Sequence, residues 1–86
     1  MVLLAITPTG LENALQLVAK TGFPVWCGAD AISEFDYASR KLHGLSRFNY
    51  ELSDPDAMAD ALHTIGEHHP GDTVWIESVQ PKQAQT

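Results

Sequence analysis

Cys27 is the residue whose type and position first suggest chemistry. The stretch FPVWCGAD (23–30) is an apolar, strand-like run that ends in the chain's single cysteine and leads into Asp30. A thiol at the end of a strand and just before a helix feels the partial positive charge of the helix N-terminus, which favours the nucleophilic thiolate. Cys27 is therefore the candidate nucleophile if the chain is an enzyme. The nearby carboxylate of Asp30 opposes this role, because a negative charge raises the pKa of a thiol.

The tripeptide WCG at positions 26–28 resembles the first three residues of the thioredoxin active-site motif, which also follows a strand and opens a helix. The resemblance ends at Asp30, because the thioredoxin motif has its second cysteine at that position. With one cysteine in the chain, dithiol redox chemistry and an internal disulfide are both excluded. Free cysteine is among the most buried residue types, so the sequence favours a structural Cys27 over a reactive one.

Three polar loops follow apolar runs, and each contains residues that could bind a ligand. They are TPTG (7–10), CGAD (27–30) and SDPD (53–56). If the strands before them run parallel, the loops meet at the carboxyl edge of the sheet, where open α/β sheets bind ligands. The ligand-binding candidates are Thr7, Thr9, Gly10, Gly28, Asp30 and Asp54. The same residue types also cap the starts of helices, and capping alone is the simpler explanation.

Phosphate, metal and hydrolase chemistry each lack part of their sequence pattern. The TPTG loop has no Gly-x4-Gly-Lys arrangement and no Lys or Arg close to it in the sequence. The histidines have neither zinc spacing nor an i,i+4 pair, and no serine lies in a G-x-S-x-G motif. The sequence therefore predicts no metal and no cofactor, and it favours a protein that is not an enzyme.

The charge balance limits the partners that we expect. Eleven acidic residues stand against five basic ones, which gives a formal net charge of -6. Contacts to a phosphate backbone need clustered cations, so nucleic acid is not an expected partner. The N-terminal apolar run is too short for a signal peptide or a membrane span, so we expect a cytoplasmic protein without a membrane partner.

The order of apolar and amphipathic segments predicts an α/β fold. Three helix-like segments alternate with strand-like runs at 2–6, 23–27, 47–52 and 73–78. This alternation predicts a β-α-β-α-β-α-β domain with a four-stranded, mostly parallel sheet and helices on both faces. The run RFNYEL (47–52) alternates apolar and polar residues, so the alternative is an α+β fold with the third strand antiparallel at an edge.

Helix boundaries are predicted from capping patterns. Thr9, with Glu12 three residues later, fits a capping box at the start of the first helix. The second helix is expected to begin near Asp30 or Ser33, to end at His43 and to bury Phe35. The whole of 1–78 is expected to form one domain, and the polar segment 79–86 a disordered tail.

Aromatic residues suggest how the chain works. Two Trp, two Tyr and three Phe are many for so thin a core, and exposed aromatic side chains mark protein interfaces. The interface candidates are Trp26, Phe48, Tyr50 and Trp75. The leading hypothesis is a non-enzymatic domain that binds a protein partner or itself, as an adaptor, an inhibitor, an immunity-like protein or a homodimer. The alternative is a small ligand-binding or thiol-dependent enzyme that uses the carboxyl-edge loops around Cys27.

Overall fold

The computed structural model describes residues 1–78, in which four strands alternate with three helices. The strands are β1 (Val2–Ala5), β2 (Val25–Cys27), β3 (Leu45–Arg47) and β4 (Val74–Ile76). The helices are α1 (Pro8–Val18), α2 (Glu34–Arg40) and α3 (Pro55–His68). All strand pairs are parallel, and the order across the sheet is β3-β2-β1-β4. The predicted α/β fold is confirmed, and the alternative with an antiparallel third strand is wrong.

Helices cover both faces of the sheet. Leu3 and Ala5 point to one face and pack with the buried sides of α1 and α2, whereas Leu4 points to the other face and packs against α3. Because both faces of β1 are covered, the whole strand is buried. This explains its uninterrupted apolar sequence, which is typical of central parallel strands.

Helix α1 begins earlier than the sequence predicted. Thr7, not Thr9, is its N-cap, and the Thr7 hydroxyl accepts a hydrogen bond of 3.0 Å from the Gly10 amide. Glu12 does not complete a capping box, because its carboxylate pairs with Arg40 of α2 at 2.6 Å. The hydrogen bond from Arg40 holds the pKa of Glu12 below its ordinary value. This exposed pair bridges the two helices that lie on the same face of the sheet.

The third strand lies earlier in the chain than its predicted position at 47–52. The Phe48 amide still donates to the Cys27 carbonyl at 2.8 Å, but the segment after it leaves the sheet. Phe48 and Leu52 are nevertheless buried, in the cluster beneath α3. A loop therefore buries Phe48 and Leu52, whereas Tyr50 between them is exposed.

Helix α2 is shorter than predicted. Ser33 caps it by accepting the Asp36 amide at 3.0 Å, and the helix ends at Lys41, which has a left-handed φ of 49°. Phe35 was expected to be buried but is 77% exposed. Only one side of so short a helix meets the sheet, and Tyr37 occupies that side.

Two further predictions concern the C-terminal tail and the membrane. The predicted disordered tail at 79–86 lies outside the described residues. Among residues 1–78, no helix has both the length and the apolar character that a membrane crossing requires.

Substitution by alanine should have opposite effects on the free energy of unfolding at Gly66 and at Gly22. A Cβ on Gly66, inside α3, or on Gly22 would meet nothing within 4 Å, but Gly22 has a φ of +73°. We expect Gly66→Ala to stabilise the protein by about 0.5–1 kcal/mol, because alanine has the higher helix propensity. Gly22→Ala should destabilise it by about 1 kcal/mol, because the left-handed region is strained for alanine. Urea unfolding of both variants measures these changes, and equal effects would contradict the assigned backbone conformations.

Candidate functional site

The direction of the chain connections reverses between β1 and β4. Helix α1 leads from β1 to β2 on one side, whereas α3 carries the chain back across the sheet to β4 on the other side. A reversal of this kind opens a crevice at the carboxyl edge of the sheet, which is where open α/β sheets bind their ligands. In this chain the crevice lies between Ile6 and Thr7, which follow β1, and Glu77, which follows β4.

The side chain of Glu77 fills this crevice. Its Oε1 accepts hydrogen bonds from the backbone amides of Ile6 at 2.6 Å and Thr7 at 2.8 Å. Its Oε2 accepts a hydrogen bond of 2.5 Å from the Thr7 hydroxyl. The N-terminus of a helix is a place where backbone amides attract anions. At α1 that place is taken by a carboxylate of the protein itself.

Hydrogen bonding controls the charge of Glu77. Partial burial would raise the pKa of Glu77, but the hydrogen bonds from the Thr7 hydroxyl, the Thr7 amide and the Ile6 amide outweigh it. The pKa of Glu77 therefore lies below its ordinary value of 4.5. Hydrogen bonds to an ionised carboxylate favour the charged form. Glu77 is consequently a fixed negative charge at neutral pH.

Gly10 makes room for this carboxylate. A Cβ at position 10 would overlap the carboxylate atoms of Glu77, which lies directly against the first turn of α1. Gly10 is therefore required for the close approach of Glu77 to α1. The third candidate of this loop, Thr9, is exposed and lines a groove between α1 and β4.

Asp30 joins the second loop of the carboxyl edge to the third. Its carboxylate accepts hydrogen bonds of 3.2 Å from the backbone amides of Leu52 and Ser53. Gly28 permits this contact, since a Cβ there would lie 2.6 Å from both the Asp30 carboxylate and Leu52. In the third loop, Asp54 caps α3 by accepting the Ala57 amide at 3.0 Å.

The structure thus brings the three predicted loops to one edge of the sheet. Five of the six ligand-binding candidates make contacts within the chain that the fold uses: Thr7, Gly10, Gly28, Asp30 and Asp54. An external ligand would have to compete with these contacts. Ligand binding at this edge stays a prediction, and the geometry gives it no support.

Cys27 lies in the core. Its side chain is 0% exposed and packs in the cluster formed with α1 and α2. Burial raises the pKa of the thiol to about 11, with a smaller increase from Asp30 and a partial offset by Arg47. Reactive cysteines lie in accessible, electropositive surroundings that lower the pKa of the thiol. Cys27 has the opposite environment, and at neutral pH it is a protonated thiol shielded from water.

Three of the four interface candidates form a row on the α3 face. Trp26 and Phe48 have ring centroids 5.2 Å apart, and the same distance separates Phe48 from Tyr50. The Trp26 indole N–H donates to Nε2 of His69 at 3.3 Å. Only Tyr50 at the end of the row is exposed, at 36%. These side chains therefore contribute mainly to packing.

Trp75 lies apart from the other candidates, at the opposite edge and on the opposite face. It is paired with Leu3 in the sheet, so it points to the face that carries α1. Helix α1 packs on β1 and β2 and leaves this face of β4 uncovered. Trp75 is 58% exposed and Leu17 of α1 is 64% exposed, and both line a groove of about 340 Å³ between α1 and β4.

The described residues offer no metal centre, since no group of three or more His, Cys, Asp or Glu within residues 1–78 could hold an ion. Comparison of the chain with models of known protein families, with curated proteins and with solved structures found no match. The function must therefore be argued from the geometry of the chain itself.

Glu77 and Leu17 are the important residues that the sequence did not reveal. The only signal for Glu77 is that it is the one charged residue of the last strand-like run, 73–78. Its role depends on β4 lying beside β1, which no local pattern encodes. Leu17 could have been noticed as an apolar residue outside the stripe of Leu11, Ala14, Leu15 and Val18 that faces the sheet.

The hydrogen bonds of Glu77 predict a specific loss of stability in acid. A carboxyl group with a lowered folded-state pKa contributes stability above its unfolded pKa, and this contribution is lost as the pH falls through the folded value. We expect the free energy of unfolding to fall below about pH 4.5, and Glu77→Gln to reduce this fall while lowering stability at pH 7. Urea unfolding between pH 7 and pH 3 measures both effects.

The exposed Glu51 provides the matched control. Glu51→Gln removes one carboxylate that accepts no such hydrogen bonds from residues 1–78, so it should leave the acid dependence close to that of the wild type. If Glu77→Gln and Glu51→Gln gave the same profile, the assigned role of Glu77 would be wrong.

Burial of Cys27 predicts that its thiol reacts slowly with alkylating reagents. We expect a mild alkylating reagent at pH 8 to modify native Cys27 at least about 100-fold more slowly than an exposed thiol, because reaction requires local opening. The comparison uses a Cys27→Ala/Ser39→Cys variant, which moves the thiol to an exposed position of α2. Urea should abolish the difference. A native Cys27 that reacts as fast as the thiol at position 39 would restore the thiol-dependent alternative.

Proposed function

We propose that this chain is a small non-enzymatic α/β domain that acts by binding another protein or a second copy of itself. The contact surface is the groove between α1 and β4, with Trp75 and Leu17 at its centre. The observation that carries the proposal is the exposure of Trp75, of which 58% faces water at the edge of the sheet. Tryptophan is the residue type most enriched among side chains that dominate binding energy at protein interfaces.

The neighbourhood of Trp75 supports a binding surface and not an isolated exposed residue. Leu17 is 64% exposed on the other wall of the groove, and Ile76 is 44% exposed on the opposite face of β4. Large apolar side chains clustered in this way mark interaction sites, whereas single ones are common on any surface. Covering them removes apolar surface from water at about 25 cal/mol per Å².

The charge of the surface favours a protein partner. The formal net charge of -6 repels nucleic acid, and the carboxylate nearest the groove, Glu77, is hydrogen-bonded to the Thr7 hydroxyl and to the Ile6 and Thr7 amides. An apolar side chain of a partner can therefore enter the groove without meeting an unpaired charge at its floor. Whether the partner makes the chain an adaptor, an inhibitor or an immunity-like protein stays a prediction, as does the cytoplasmic location.

The enzyme or ligand-binding alternative has weaker support. Thr7, Asp30 and Asp54 would each have to exchange a hydrogen bond to the protein's own backbone for one to a ligand. The nucleophile of that alternative, Cys27, is buried with a pKa of about 11. The exposed apolar groove, by contrast, requires no rearrangement before it binds.

Substitution of Trp75 tests the proposal. A tagged chain is used to capture proteins from a lysate of the organism that encodes it, in parallel with Trp75→Asp and Phe35→Asp. Phe35 is the matched control, because it is also an exposed aromatic residue, at 77%, but lies on α2. We expect Trp75→Asp to weaken the captured partner's binding by roughly 30-fold, which corresponds to a hot-spot loss of about 2 kcal/mol, and Phe35→Asp to leave it unchanged.

Two results would contradict the proposal. One is a wild-type chain that captures nothing and remains monomeric at every concentration. The other is a partner that both variants retain equally, since binding would then use a different surface. Circular dichroism of both variants confirms that each has folded before the capture is compared.

A further inference from the structure

We infer that the occupant of this surface is a second copy of the same chain, joined antiparallel through β4 so that the sheet continues from one copy into the other. The inference rests on the proposed function, because it names the partner of the groove between α1 and β4. It depends on the backbone of β4 as well as on Trp75.

The outer edge of β4 presents a row of unsatisfied backbone groups. The carbonyl of Thr73 and the amide of Glu77 both bond to β1, at 2.8 and 2.9 Å. Backbone groups of successive strand residues point to alternate sides, so the amides and carbonyls of Val74 and Ile76 point away from β1. Among residues 1–78, no other backbone group bonds to them. An edge of this kind is a template for pairing with another strand.

The opposite edge of the sheet is protected. At β3, the Tyr37 hydroxyl donates a hydrogen bond of 3.1 Å to the carbonyl of Leu45. The side chain of Arg47 lies along the same strand and donates to the Ile32 carbonyl at 2.7 Å. Charged side chains and side-chain caps are common means of blocking an edge strand. The described part of β4 carries neither of them, since its three residues are all apolar.

The sequence of β4 is complementary to itself in one antiparallel register. A two-fold axis through Trp75 places Val74 of one copy opposite Ile76 of the other, and their outward amides and carbonyls form the hydrogen-bonded pairs. Trp75 then lies opposite its own copy at the non-hydrogen-bonded position, where side chains of paired strands are closest. Both indoles are on the α1 face. Each indole therefore covers the other on the outer side of the groove, and the contact is the same for both copies, as a closed two-fold interface requires.

The same register keeps like charges apart. Asp72 lies opposite Ser78, and Thr73 lies opposite Glu77, so no carboxylate faces another across the axis. Asp72 is also 3.5 Å from the N-terminal amino group of its own chain. What opposes association is the net charge of -6 on each copy, which acts at long range and is screened by salt.

The predicted contact is small. Its core is a short strand pair and two indoles, well below the roughly 1,600 Å² of a standard interface. We therefore expect a dissociation constant on the order of 10–100 µM, and a monomer–dimer equilibrium that shifts with concentration.

The first test measures mass. Sedimentation equilibrium of the wild type from about 10 to 500 µM should show an average mass that rises from one chain toward two, more steeply at higher salt. Trp75→Glu should remain monomeric across this range, and Phe35→Glu should associate like the wild type. A wild type that stays monomeric, or a Phe35→Glu variant that loses association equally, would overturn the inference.

The second test locates the contact in the unaltered protein. Amide hydrogen exchange, followed residue by residue by NMR, should slow at Val74 and Ile76 as concentration rises. The Trp75 amide faces β1 and is the internal control, because it should be protected at every concentration. Association without added protection at Val74 and Ile76 would overturn strand pairing.

The two proposals fail separately. A chain that is monomeric at 500 µM but captures a lysate protein in a Trp75-dependent manner overturns the second copy as the partner and leaves the interaction function intact. A chain that associates through β4 supports both.

Discussion

The hydrogen bonds between Glu77 and the loop after β1 are the constraint on which the rest of the structure depends. Strand β4 has β1 as its only neighbour in the described sheet. Directly after β4, the Glu77 carboxylate accepts hydrogen bonds from the Ile6 and Thr7 amides. The Thr7 hydroxyl donates to the same carboxylate and also caps α1. The start of α1 and the position of β4 are therefore coupled through a single threonine.

This coupling explains why the exposed apolar surface lies between α1 and β4 and not at the carboxyl edge of the sheet. In an open α/β sheet the crevice at the reversal of strand order is the usual ligand site, but here it is filled from within by Glu77. The polar residues at the carboxyl edge make hydrogen bonds within the fold. The exposed apolar residues lie beside this edge. Holding β4 in this position places Trp75 opposite Leu17 with no helix above them. The interaction that closes the crevice thus also creates the groove.

Local patterns in the sequence were enough to predict the fold class. Apolar runs alternating with helix signals predicted the element order and the parallel sheet, and the SDPD loop contains Asp54 and Pro55, the N-cap and first-turn residues of α3. Errors arose where two local solutions were equally good. Thr7 and Thr9 can each precede a helix, and Pro8 in the first turn and the contact of Thr7 with Glu77 both favour Thr7 as the N-cap. RFNYEL alternates like a strand, but most of it is a loop that buries Phe48 and Leu52 and leaves Tyr50 exposed.

The candidate site was less accessible to sequence analysis, because it depends on which strands are neighbours. The three carboxyl-edge loops were correctly placed together once the sheet was taken as parallel. That Glu77 faces α1, and that Trp75 rather than Trp26 is the exposed tryptophan, follows from β4 lying beside β1 at the edge. Both features join residues far apart in the chain, and hydrophobic periodicity carries no information about such pairs.

The distance in sequence between the two partners of the central interaction has a consequence for how the protein folds. Thr7 and Glu77 are 70 residues apart, whereas β1, β2 and β3 join through much shorter connections. Closing the longer loop costs more chain entropy and contributes to a high contact order, so β4 should dock after the other three strands have formed. During synthesis, the backbone groups of β1 that pair with β4 should therefore stay unpaired until almost all of residues 1–78 have left the ribosome.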